Sequence, residues 1–326
     1  MSWKVLVTAP PFETTGSGSA AMLRETGCEI IYAVNAGFSG GPDLARSLAG
    51  VDAVIAATEP YPAALLQSPE ASRLKIISRW GVGYDAIDVA AATARGIVIA
   101  YTPGLLDEAV ADYTFALLLS LARHVADGHL SMRGGIWLPQ WGEDLAGKTL
   151  GIVGYGRIGR AVARRARAFN LRVLACDATP KAADLQSAVG FVSLDELLAQ
   201  SDFITLHAAL TPATRGLMGE AQLRRMKPSA RLINTARGHL VDEAALLRAL
   251  TEGWIAGVAL DVYADEPLPP RHPFRSAPNI LLSPHQASAS VETGRRVSET
   301  AAQAVIDLMQ GRPPRLVLNP EVFAPK

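Results

Sequence analysis

Apolar runs of strand length recur along this chain, separated by stretches with helical spacing. In the first third they fall at residues 4–8, 29–33, 53–57, 75–78 and 96–100. Ala- and Leu-rich segments such as 43–48 and 63–66 lie between them. Nearly continuous apolar strands alternating with helices predict a parallel sheet covered on both faces. Tyr101-Thr102-Pro103-Gly104 interrupts the pattern and marks an expected hinge. The stretch 108–126 is too densely apolar for a surface helix. It is expected to be buried, either between domains or against a second subunit. Residues 127–141, with Trp137, Pro139 and Trp141, show no clear period and read as a candidate arm around a partner.

The alternation resumes at Lys148. Strands are expected at 150–154, 172–177, 203–207, 231–235, 256–261 and 280–283, with helices at 157–169, 194–199, 220–226 and 243–252. A final helix over 291–310 follows a second expected hinge near 287–289. The end of the chain, Arg315-Leu316-Val317-Leu318-Asn319, is placed to pair back with the first domain. The fold class is therefore α/β, with two doubly wound parallel-sheet domains, the first of them discontinuous. No internal repeat or low-complexity tract is visible.

The run Leu150-Gly151-Ile152-Val153 leads into Gly154-Tyr155-Gly156-Arg157-Ile158-Gly159, and Asp177 closes the next apolar run. Strand, glycine turn, helix, strand and acid form the layout of a dinucleotide-binding unit. The glycines allow the tight turn, a close approach to a pyrophosphate, and tight helix–sheet packing. The phosphates meet the positive end of the helix. An ordinary turn using glycine only for packing would not call for the acid. A carboxylate at Asp177 accepts ribose hydroxyls and repels a 2′-phosphate, which favours NAD over NADP, although Lys181 is near enough to soften the preference.

Further motifs extend over most of the chain: Arg79-Trp80-Gly81-Val82-Gly83-Tyr84-Asp85-Ala86-Ile87-Asp88, Ile233-Asn234-Thr235-Ala236-Arg237-Gly238, Ala259-Leu260-Asp261-Val262, Asp265-Glu266-Pro267 and Ser283-Pro284-His285. With the glycine fingerprint, they resemble the D-isomer-specific 2-hydroxyacid dehydrogenases, and the Arg79 segment resembles the phosphoglycerate dehydrogenase-like branch. The resemblance implies a Rossmann NAD-binding domain over 103–286 and a flavodoxin-like substrate domain over 1–102 plus 287–326, closing as a cleft on cofactor and acid. It implies an oxidoreductase in which His285 is the acid/base, Glu266 tunes and orients it, and Arg237 grips the carboxylate and polarises the carbonyl. The three residue types suit these roles. An imidazole titrates near neutrality, a carboxylate favours the charged ring, and a guanidinium offers a planar fork of donors. Read without the family, Arg237 has a surface ion pair as its alternative, but its place just after a strand's C-terminal end, where open α/β sheets bind ligands, favours function; Glu266 reads as a solvated loop residue, and His285 equally as a catalytic group or a turn cap.

By the same resemblance, Val82 and Gly83 contact substrate through a backbone nest. Arg79 helps hold a substrate phosphate. Asp261 meets the nicotinamide carboxamide, and Thr235 and Ala236 line that end of the cofactor. His207 to Thr211 borders it too, although Ala209 stands where the family usually has proline. The substrate is expected to be 3-phosphoglycerate or a small 2-oxo acid such as glyoxylate or hydroxypyruvate. Against the phosphate, the loop after the third strand reads Ala56-Ala57-Thr58-Glu59, with a carboxylate where that branch often carries a second arginine. A formate dehydrogenase is disfavoured, since that relative pairs its histidine with an amide. The alternative from another class is an NAD(H)-sensing, corepressor-like binding protein of the same fold.

Bulk properties narrow the partners. The chain has 326 residues, enough for about two domains. Lys+Arg and Asp+Glu both number 31, so no basic excess invites nucleic acid or a membrane surface. The most apolar segment, 113–122, is about half the length of a bilayer span. Cys28 and Cys176 are too few for a disulfide framework or a zinc site, no metal is expected, and both are expected to be reduced and buried. With no signal-peptide pattern at the start, the protein is expected to be cytoplasmic, and a homodimer. His124, His129, His239 and His272 are read as surface or structural.

Overall fold

The computed structural model describes residues 2–33, 41–185 and 188–324. It divides into two compact units, residues 1–106 with 289–326, and residues 107–288. The division falls a few residues beyond the expected borders at 102 and 286.

The first unit is built on five parallel strands: β1 (Lys4–Val7), β2 (Glu29–Tyr32), β3 (Ala53–Ala56), β4 (Ile76–Arg79) and β5 (Val98–Ala100). Their order is β2-β1-β3-β4-β5. Side chains alternate between faces along a strand. Val5, Val7, Ile55 and Ile76 accordingly pack with Phe12, Leu23, Val297 and Ala301. Leu6, Val54, Ile77 and Ile99 pack on the other face with Leu44, Leu48 and Leu66. Burial on both sides is why the strands read as unbroken apolar runs. Trp80 is core here, with Nε1 donating to Ser298 Oγ at 2.9 Å.

The helix Val291–Met309 returns the chain to this unit, and the end of the chain is then locked to β5. Val317 bridges Ala100 in antiparallel fashion. Buried Asn319 accepts from Ile99 N–H at 2.8 Å and donates to Ile97 O at 2.9 Å.

The second unit holds seven parallel strands: β6 (Thr149–Val153), β7 (Arg172–Cys176), β8 (Gly190–Phe191), β9 (Phe203–Leu206), β10 (Arg231–Asn234), β11 (Gly257–Leu260) and β12 (Ile280–Leu282). Their order is β12-β11-β10-β9-β6-β7-β8. One face is covered by the helices Asp107–Arg123 and Arg157–Ala168. The other carries Leu194–Gln200, Glu220–Arg225 and Glu243–Thr251.

Four expectations change. The long apolar helix ends at Arg123, and its buried residues, among them Ala111, Phe115 and Leu118, lie on its own unit's sheet and the Arg157–Ala168 helix. The chain turns at His124, which has φ 51°, and a separate helix runs over Val125–Arg133. That segment showed no hydrophobic period because none of its residues is buried. Strand β8, two residues long, is too short to register as an apolar run. Cys28 is buried, but Cys176 is only half-buried; both thiols are free.

Among the described residues, no helix is long and apolar enough to cross a membrane, and no His/Cys/Asp/Glu cluster could hold a metal ion.

Candidate functional site

In the second unit, strand order reverses between β6 and β9, and the glycine fingerprint leaves β6 at that point. Gly154 has φ +93°, and a Cβ there would stand 2.5 Å from Ala208 N. Only glycine lets the end of β6 pass directly against the loop after β9. The helix Arg157–Ala168 begins at Gly156, where no side chain caps it and a Cβ would meet open space. Its first N–H groups and dipole are thus presented to the kind of anion a dinucleotide diphosphate supplies.

Asp177, just past β7, is half-buried. It accepts from Tyr155 N–H at 2.6 Å and Thr179 N–H at 2.8 Å. Those bonds fix an acid beside the fingerprint, and a dinucleotide fits this edge. Arg157 is exposed on the first turn, while Ile158 packs into the sheet face.

His207 follows β9. Its ring contacts Thr205 Oγ1 at 3.0 Å, and burial lowers its pKa to about 3, so the ring is neutral. Thr211 is exposed; its N–H donates to Thr214 Oγ1 at 2.8 Å, and the Thr214 hydroxyl donates to Ala209 O at 2.7 Å. Thr214 thus closes the loop in which Ala209 replaces proline.

Across the sheet, β10 ends in Asn234, whose side chain accepts from Ala236 N–H at 3.0 Å and donates to Arg237 O at 2.8 Å. These bonds shape the turn carrying Thr235, Ala236 and Arg237. Thr235 is buried against Thr114, with the hydroxyls 3.2 Å apart. A Cβ at Gly238 would fall 1.9 Å from Tyr263 C, so the segment bearing Glu266 crosses directly over this turn. Glu266 Oε1 accepts from Tyr263 N–H at 3.0 Å, and Oε2 lies 2.6 Å from His285 Nδ1. Burial pushes the Glu266 carboxyl up, but its bond to His285, the His285 and Arg237 charges and the Tyr263 N–H together leave it below the usual range. An ionised Glu266 makes Nδ1 the donor and leaves Nε2 outside that bond.

His285 has φ +50°, a backbone conformation uncommon for this residue type. Asp261, fully buried at the end of β11, holds it there. Its carboxylate accepts from Ser283 Oγ at 2.6 Å, Gln286 N–H at 3.0 Å and Ala287 N–H at 2.8 Å. Burial raises the Asp261 carboxyl, opposed by those three donors. Asp261 therefore has an internal role, holding the His285 loop, which its motif did not announce. Asn234, Gly238, Tyr263 and Ser283 are the supporting residues that went unassigned, although three of them lie inside the motifs that mark the site.

Of the residues expected to touch substrate, Arg79, Val82 and Gly83 belong to the first unit. Val82 and Gly83 N–H donate to no described residue. Arg79 points inward: it is 8% exposed, with Nε donating to Gly83 O at 2.9 Å and Nη1 to Trp80 O.

A parallel sheet with this glycine edge and the acid after its second strand is the layout of a dinucleotide-binding domain. The sequence family described as "D-isomer specific 2-hydroxyacid dehydrogenase, NAD binding domain" matches residues 115–287. A glyoxylate reductase of Korarchaeum cryptofilum is 46% identical over 273 residues, 81% of each chain. A crystal structure of a Thermus thermophilus protein superposes with TM-score 0.87 at 40% identity, covering 97% of this chain and 99% of the other. That of a glyoxylate reductase from Paecilomyes thermophila gives TM-score 0.83 at 32% identity, covering 97% and 98%. The chain belongs to the D-isomer-specific 2-hydroxyacid dehydrogenase family and is an NAD-dependent 2-hydroxyacid dehydrogenase.

Proposed function

We propose that this enzyme interconverts a small 2-oxo acid, glyoxylate or hydroxypyruvate, with its 2-hydroxy acid, and that His285, Glu266 and Arg237 carry the chemistry. The carrying observation is the 2.6 Å contact between His285 Nδ1 and Glu266 Oε2 within the cofactor-binding unit. NAD, when bound, supplies or takes the hydride. In reduction, His285 Nε2–H gives its proton to the carbonyl oxygen while Glu266 balances the charged ring. Arg237 binds the carboxylate and polarises the carbonyl. In oxidation, neutral His285 takes the hydroxyl proton. In the first unit, the Val82 and Gly83 N–H groups are donors of the kind a carboxylate takes.

The choice of a small acid over 3-phosphoglycerate is supported by the relatives named glyoxylate reductase and by the inward direction of Arg79. Asp177 supports NAD over NADP. We also read the protein as a homodimer: Ile136, Trp137, Leu138 and Trp141 are all exposed, Trp141 at 94%, and a second copy would cover them. A monomer by light scattering at assay concentration counts against that part.

The test is a panel of 2-oxo acids with NADH, followed by His285→Ala. Loss of the acid/base is expected to lower kcat by about 10²–10⁴-fold, with NADH affinity unchanged by fluorescence titration. NADH binding without turnover of any acid would favour the sensor; full activity in His285→Ala would remove His285 from the mechanism.

A further inference from the structure

The first unit contains a buried polar cluster that the chemistry above does not use. Its sheet order, β2-β1-β3-β4-β5, reverses between β1 and β3, and ligands of open α/β sheets bind at such a reversal, outside the carboxyl ends of the strands. Three adjacent strand ends send polar side chains there. Thr8 follows β1, Glu59 and Tyr61 follow β3, and Arg79 ends β4. Glu59 is only 3% exposed. Its Oε1 accepts from Thr8 Oγ1 and, at 2.7 Å, from the fully buried Tyr61 hydroxyl. Its Oε2 is buried without a hydrogen-bond partner among the described residues. Burial raises the Glu59 carboxyl, and the positive charge of Arg79 is among the influences drawing it back.

Arg79, at the end of β4, shapes the loop at residues 81–83. Its Nε and Nη1 donate to the Gly83 and Trp80 carbonyls, one on each side of Gly81 and Val82. The guanidinium lies against Gly81, where φ is +136° and a Cβ would stand 2.8 Å from Nη1. Thr102 pins the same loop from β5's side: Gly81 N–H donates to Thr102 Oγ1 at 3.0 Å, and Thr102 N–H returns a bond to Gly81 O at 3.0 Å. Two carbonyls drawn inward by one planar cation leave the Val82 and Gly83 N–H groups without partners among the described residues. Such a loop is a preformed concavity for an anion.

We propose that Arg79 is a positioning residue that sets the 81–83 loop in its anion-receiving form. Arg79 is then committed to carbonyls of its own chain and does not serve a substrate phosphate. This rests on the reading that the loop meets the 2-oxo acid carboxylate, and it narrows the substrate to monoanionic acids.

The test is Arg79→Lys, which keeps the charge but not the two-pronged fork. One lost charged hydrogen bond corresponds to about a tenfold change. Amide exchange over residues 80–84 in the substrate-free protein is expected to be about tenfold faster, and KM for the 2-oxo acid about tenfold higher. The expected kcat and NADH affinity match the parent enzyme. Parent-like exchange in Arg79→Lys overturns the proposal. So does a rise in KM confined to a phosphorylated acid such as 3-phosphohydroxypyruvate, which would make Arg79 a phosphate ligand. Exchange is read without substrate, so an enzyme turning over no 2-oxo acid would sink the functional reading while the exchange data still decide this one.

Discussion

Each of the two units has a parallel sheet whose strand order reverses once, and they treat the reversal in opposite ways. Between β6 and β9 the second unit keeps the edge bare: Gly154 lies against the backbone of His207 and Ala208, and the next helix starts uncapped at Gly156. Between β1 and β3 the first unit fills the edge: Thr8 stands where Gly154 stands, just after the first strand, and its hydroxyl is bonded to Glu59. The same architecture therefore yields two kinds of site. A bare edge offers backbone N–H groups and a helix dipole, which suit a diphosphate. A filled edge turns its polar atoms on one another, with Glu59 Oε2 the one left without a partner among its described neighbours.

The sharpest way to break this contrast is to exchange the treatments. Gly154→Ala adds a Cβ at φ +93°, 2.5 Å from Ala208 N. A non-glycine residue in such a conformation costs about 1–3 kcal/mol. We expect NADH affinity to fall by about 10–100-fold by fluorescence titration; parent-like affinity would show that the bare edge is not needed. In the first unit, Thr8→Val keeps the volume and removes the hydroxyl, leaving a buried carboxyl with one donor fewer. The expected loss of stability is about 1–3 kcal/mol by denaturant unfolding, with NADH affinity unchanged. A larger effect on NADH than on stability would mean that the filled edge is not an internal device.

The contrast also explains what was legible in the sequence. Strands buried on both faces announce themselves as apolar runs, so both sheets were readable from pattern alone, whereas two-residue β8 was not. The glycine edge was readable because each glycine answers a steric demand that recurs with the motif. The Glu266–His285 contact joins residues 19 apart along the chain, and no spacing rule brings them together. What joins them is Gly238 under Tyr263 and Asp261 beneath the His285 loop, and both are tertiary facts. The bonds of Arg79 were hidden for the same reason: its motif does not show that Nε donates to the Gly83 carbonyl at 2.9 Å. The helix Val125–Arg133 escaped because it buries nothing, and burial is what produces a period.

The smallest expected effect concerns His207, which borders the bare edge as Glu59 borders the filled one. Burial lowers its pKa to about 3 in the folded chain, against about 6.5 when unfolded. As pH falls below about 6.5, the unfolded chain takes up a proton that the folded chain refuses. Its neutral state therefore leaves stability intact above that pH and erodes it on the way down toward about 3. The slope from this one group is about 1 kcal/mol per pH unit. Denaturant unfolding of the parent and of His207→Asn, compared between about pH 7.5 and 5, is expected to differ by that slope, with the variant the flatter. Parallel pH dependences would mean that the ring is charged or solvated in the folded protein, and that the edge beside Gly154 tolerates a cation.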